Sequence, residues 1–141
     1  MERRKRTRLC VWLITVGLAN FLTYATVYAI IGGDAQNGGI RTDGTCFVRG
    51  HHIHRVLGYE QDVSRWVWMY SYVHSISIWP SIAMVLLAML TIARPHIMAT
   101  YQQGVVQGAT LLTVMATVIV FVTSIIMVWF IVGFVSTLTA H

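Results

Sequence analysis

Tyr70, His74, Ser77 and Ser81 follow one another at steps of four, three and four residues. On a helix that spacing puts their side chains along one face. The face lies within residues 66–93, WVWMYSYVHSISIWPSIAMVLLAMLTIA, a stretch without Asp, Glu, Lys or Arg and long enough to cross a bilayer as one helix. A histidine in such a place ligates haem or metal, hydrogen-bonds a quinone or carries a proton. Its simpler use is a hydrogen bond to a neighbouring helix, contributing about 1 kcal/mol. A haem held between two helices usually needs a second axial ligand, and no other histidine falls within a spanning run.

His51, His52 and His54 form a second cluster, with Cys46, Glu60 and Asp62 as further donors within reach along the chain. Three imidazoles in four residues can gather zinc or copper. The spacing matches no compact zinc pattern, and on a strand His51 points away from His52 and His54. The alternative is a solvated, pH-sensitive loop.

A third set concerns packing. Gly104 and Gly108 make a G-x-x-x-G pattern, and Thr110, Thr113, Thr117 and Ser124 continue a face of small polar residues. Such faces let helices approach closely and exchange hydrogen bonds, within one chain or with a partner. No spanning run contains a carboxylate or a basic residue, so the intramembrane charge usual in ion-coupled transport is missing. The chain has no Walker loop, nucleophile elbow or H-E-x-x-H pair, so no enzyme class is legible.

The elements that must position these residues follow from composition. Of 141 residues 56% are hydrophobic and 11% charged, and mean hydropathy is +0.65. A soluble domain carries about 25% charged residues, so lipid is the main solvent here. The fold class expected is an all-α membrane protein, a bundle of three transmembrane helices forming a single membrane domain. A basic tail, residues 1–8, precedes a first span at 9–31. An outside loop, 32–65, leads to the second span at 66–93, a short connection at 94–103 and a third span at 104–140. Arg94 and Pro95 are expected to close the second helix, and Pro80 to bend it near Trp79. Trp66, Trp68, Tyr70 and Tyr72 are expected at the headgroup level. In the loop, Asn37-Gly38 and Asp43-Gly44 are turn dipeptides, the second between β-capable runs at 40–42 and 45–48, so a short hairpin is expected. Asp62 or Ser64 is expected to cap the second helix.

Arg3, Arg4, Lys5, Arg6 and Arg8 supply half of the ten basic residues and sit directly before the first span. With Arg94 they set the orientation: amino terminus cytoplasmic, loop and carboxyl terminus outside. The same clustering accounts for the net charge of +5 without nucleic acid. The start also resembles a secretory signal with a cleavage site at Val27 and Ala29. The length of the run and its Asn20, Tyr24 and Tyr28 favour an uncleaved anchor. Cys10 and Cys46 fall on opposite sides of the first span, about 30 Å apart, which excludes a disulfide between them.

The leading expectation is a non-enzymatic accessory or scaffold subunit of a bacterial inner membrane, bound to lipid and to a second copy or another membrane protein. The alternative is a redox or metal-handling protein using His74 for haem or quinone, or the loop histidines for zinc or copper. A weaker alternative is an oligomeric channel.

Overall fold

The computed structural model describes residues 2–50, 59–102 and 107–140. His51, His52, His54 and Gly104 lie outside the described residues. In chain order the elements are α1 (Glu2–Ile31), β1 (Asp34–Ile40), β2 (Cys46–Gly50), β3 (Tyr59–Val63), α2 (Arg65–Thr100) and α3 (Gly108–Thr139). Each helix is long and apolar enough to cross a membrane. At 1.5 Å per residue even the shortest, α1, measures about 45 Å, against a hydrocarbon core of about 30 Å. A helix of any of these lengths that spans such a core protrudes from it or tilts within it.

Helix α2 is shared, packing against α1 and against α3. Both neighbours run antiparallel to it. Asn20 of α1 meets Ser81 and Tyr24 meets His74, while Phe130 of α3 meets Trp79 and Phe134 meets Tyr72. Gly17 lets α1 come close, since a Cβ there would run into the Val85 side chain.

Local chemistry accounts for most element ends. Gly32, at φ +84°, stops α1 while its N–H and that of Gly33 donate to the Tyr28 carbonyl. Ser64 caps α2, its hydroxyl accepting from the Val67 N–H at 3.4 Å. Contrary to the expected stop at Arg94 and Pro95, α2 continues to Thr100. A proline removes one helical hydrogen bond, and at the wet end of a span water can take the freed carbonyl.

The loop folds as a three-stranded antiparallel sheet in the order β1-β2-β3. Asp43-Gly44 makes the expected turn, with Gly44 at φ +84° and the Arg41 N–H donating to the Thr45 carbonyl at 2.9 Å. Asn37-Gly38 is not a turn. It lies inside β1, whose register against β2 shifts between Asp34 and Gly39. β3 is an addition to the expected hairpin.

The buried face of the sheet meets the bundle. Ala35, Cys46, Val48, Trp68 and Tyr72 form the core there, flanked by Ile31, Ile40 and Phe134. The aromatic residues at the start of α2 thus divide by helical period. Trp68 and Tyr72 turn inward, whereas Trp66 and Tyr70 stay exposed.

On the outer face of the sheet Arg41 bridges Glu60 at 3.0 Å and Asp62 at 2.7 Å, and Arg49 bridges Glu60 at 2.6 Å. Hydrogen bonds from Arg49 and then Arg41 hold the Glu60 carboxyl below the usual glutamate range. A depressed carboxylate contributes stability above its ordinary value, and that contribution is lost as pH falls through the depressed one. Amide exchange in β2 and β3, corrected for its intrinsic pH dependence, should be unchanged from pH 7 to 5. It should quicken as pH drops below about 4, the ordinary glutamate range. In Glu60→Gln that acid response should shrink; an unaltered response would show that these bridges do not hold the strands.

Candidate functional site

Two polar layers lie between α1 and α2. The deeper one is built on Ser77 and Ser81. Their hydroxyls donate to backbone carbonyls of their own helix, Ser77 to His74 at 2.7 Å and Ser81 to Ser77 at 2.9 Å. Each has spent its proton, so each presents lone pairs to α1. The Asn20 amide nitrogen fills them, donating to Ser81 Oγ at 2.9 Å and to Ser77 Oγ at 3.2 Å. This fixes the amide orientation and turns Asn20 Oδ1 towards His74 Nε2, 3.2 Å away. An oxygen acceptor there requires the proton on Nε2. In neutral His74, Nδ1 is then a lone pair, buried and without a partner among the described residues.

His74 is 9% exposed. Tyr24 and Tyr70 meet it edge-on, with centroids 5.6 and 5.5 Å away. Tyr24 links this layer to the next, because its hydroxyl donates to Asp34 Oδ2 at 2.8 Å.

The outer layer centres on Asp34, directly after the glycines that end α1. Its Oδ1 accepts from the Gln36 N–H at 2.9 Å and from Ser75 Oγ at 2.8 Å. The Ser75 hydroxyl is also 2.9 Å from the Ser71 carbonyl, so its single proton serves one acceptor or the other. Ser71 Oγ in turn accepts from the Ala35 N–H at 3.2 Å. Asp34, Ser71 and Ser75 are each less than 5% exposed. One carboxylate therefore joins Tyr24 of α1, the start of β1 and the third turn of α2.

The residues singled out in the sequence distribute unevenly. His74, Ser77 and Ser81 converge as a set, and Tyr70 touches His74 only by its ring edge while remaining 51% exposed. Gly108 is buried against α2, where an added Cβ would be 3.1 Å from the Ile97 carbonyl oxygen and from Met98 Cα. That half of the G-x-x-x-G pattern serves packing within the chain. Thr113 and Thr117 are exposed on α3, and Thr113 returns its hydroxyl to the Ala109 carbonyl at 3.0 Å. Among the described residues no three His, Cys, Asp or Glu side chains group as a metal site.

Sequence reasoning missed Asn20, Tyr24, Asp34, Ser71 and Ser75 as members. A signal existed. Asn20 and Tyr24, like Ser71 and Ser75, are polar pairs four apart in apolar runs, and each pair marks one helix face.

Chemically the arrangement is a clamp with one uncommitted acceptor. Three helix-borne side chains hold Asn20, three donors converge on the Asp34 carboxylate, and within this arrangement His74 Nδ1 is buried without a partner among the described residues. Comparison of the chain with family models, with curated proteins and with solved structures finds no match.

Proposed function

We propose that this chain is a non-enzymatic membrane scaffold, an accessory subunit that packs through α3 against a second copy or another membrane protein. The observation that carries this reading is the Asn20 clamp. The side chains best suited to chemistry in the membrane spend their hydrogen bonds on holding α1 to α2. Apolar surface open to a partner is present on α1 and α2 as well, and α3, of which only Gly108 and Thr123 are buried, presents the most regular face. Phe121, Ile125, Trp129 and Val132 stand exposed along it, at steps of four, four and three. Large side chains at that spacing are ridges into which a second helix packs.

The inner membrane of a bacterium, with the amino terminus in the cytoplasm, is part of this proposal. It is supported by the exposed Arg4, Lys5, Arg6 and Arg8 on α1 and Arg94 on α2, all remote from the sheet.

One observation favours a second reading, in which the protein handles haem or a quinone. Buried Nδ1 of His74, between two tyrosine rings, could accept a hydrogen bond from a quinol or donate its lone pair to iron. Native mass spectrometry after gentle extraction from the protein's own membrane separates the readings. The scaffold predicts added protein mass in fixed ratio, lost when Trp129→Ala and Val132→Ala are combined. A chain carrying the mass of haem, quinone or metal and no protein would replace the scaffold with the second reading.

A further inference from the structure

At the end remote from the sheet, the three helices leave a groove of about 590 Å³ between them. Leu9, Leu13, Met84, Leu87, Val120 and Met127 form its apolar walls. Along α2 it extends from Thr91 to Pro80, a rise of about 16 Å at 1.5 Å per residue. That is half of a hydrocarbon core of about 30 Å. The groove has the depth of one leaflet.

A second groove, of about 420 Å³, shares Leu87 and Thr91 with the first and continues between α2 and α3 past Leu90 and Leu112. The shared residues make a ridge with a trough on either side, the first mostly apolar and the second bordered by Thr113 and Thr117 as well as by Leu90 and Leu112. Arg6 borders the first trough and Arg94 the second, and both side chains are exposed. Arg94 is one helical turn beyond Thr91, which lines both troughs, so Arg6 and Arg94 border adjoining troughs at the same end of the bundle. Arg4, Lys5 and Arg8 add positive charge around it. The carboxylates whose side chains are described, Asp34, Asp43, Glu60 and Asp62, all belong to the sheet end, and none pairs with Arg6 or Arg94.

We propose that the paired troughs bind a two-chain anionic phospholipid, with one acyl chain on each side of the Leu87–Thr91 ridge and the phosphate held between Arg6 and Arg94. The first trough takes the length of an acyl chain within one leaflet, and the second, about 10 Å long from Leu87 to Arg94, takes the upper part of another. A guanidinium binds phosphate oxygens in bidentate fashion, and long arginine stems reach the headgroup level from within lipid. A negative headgroup also matches the surrounding charge, which a zwitterionic one does not. The site differs from the α3 face of the scaffold reading and does not depend on it.

The test is native mass spectrometry of the purified full chain in detergent, titrated with dioleoyl phosphatidylglycerol or dioleoyl phosphatidylcholine. One phosphatidylglycerol should remain bound at a detergent concentration that strips phosphatidylcholine. Arg6→Gln, a change on an exposed side chain, should weaken that retention about tenfold, the worth of one charge-assisted hydrogen bond. Ala83→Trp, which fills the first trough, should abolish it. Equal retention of the two lipids, no effect of Arg6→Gln, or phosphatidylglycerol still held by folded Ala83→Trp would each overturn the proposal. Displacement of the lipid by millimolar inorganic phosphate would overturn it too, by reducing the site to a free-anion patch. Should Ala83→Trp fail to fold, the Arg6→Gln comparison decides alone.

Discussion

Replacing Asp34 with alanine should lower the thermal unfolding midpoint by roughly 5–15 °C, the largest loss expected from any single side chain outside the apolar core. The size follows from what is stranded. Ser75 can return its proton to the Ser71 carbonyl, but the Tyr24 hydroxyl and the Gln36 N–H each lose the carboxylate oxygen they donate to. A donor left unpaired in a fully buried place costs about 1–3 kcal/mol; both of these are part-buried, so the pair costs about 2–5 kcal/mol, below the fully buried sum. A hydrogen bond between membrane helices averages only about 0.6 kcal/mol. Asp34 exceeds that figure because three segments of the chain meet on one group.

Tryptophan fluorescence during heating in detergent gives the readout, with Trp68 wholly buried in the adjoining core. Asp34→Asn keeps one oxygen and should lose about half as much. Combining Asp34→Ala with Tyr24→Phe should cost less than the two changes added separately, because the second removes a donor that the first has stranded. A midpoint within about 2 °C of the unaltered chain, under 1 kcal/mol for a chain of this size, would show that the carboxylate does not tie the junction together.

Gly33→Ala should open the same junction by a different route. A Cβ at Gly33 would stand 2.5 Å from the Arg49 carbonyl carbon, 2.6 Å from the Gly50 nitrogen and 2.7 Å from the Arg49 oxygen. All three are backbone atoms, so no side chain can rotate to make room. Overpacking that side chains can absorb costs about 1–3 kcal/mol, and here β2 itself must shift, so about 3 kcal/mol is expected. Gly44→Ala is the contrast. Nothing lies within 4 Å of its added Cβ, and only the positive φ is unfavourable, at about 1–2 kcal/mol.

Alkylation of Cys46 reports the difference. The thiol is 3% exposed on β2, and 3 kcal/mol of local destabilisation raises the open population about 100-fold. Labelling mapped by mass should rise accordingly at Cys46 and stay unchanged at Cys10, which is buried at the far end of α1. Equal protection of Cys46 in both chains would mean that the close approach of Gly33 to β2 is not what holds the sheet on the bundle.

Both predictions concern contacts that local sequence does not announce. Spanning runs are legible because lipid removes charge from every residue in contact with it, and helical period then groups His74, Ser77 and Ser81 on one face. The Asp43-Gly44 turn and the Ser64 cap are legible because each is decided within a few residues. β3 is not, since YEQDV carries little β-signal and forms a strand only by pairing with CFVRG across the sheet. Asn37-Gly38 misleads for the same reason. Its local preference for a turn yields to pairing with β2.

Sequence alone determined three apolar helices, a turn in the intervening loop and a polar face on α2. Those depend on solvent and on neighbours along the chain. Tertiary structure decided which group that face meets, because Asn20 lies 57 residues from Ser77 and 61 from Ser81. It also decided that Asp34, an ordinary loop charge when read in order, is a buried knot. A carboxylate stays buried only where donors from separate segments converge on it, and that convergence exists only once the chain has folded.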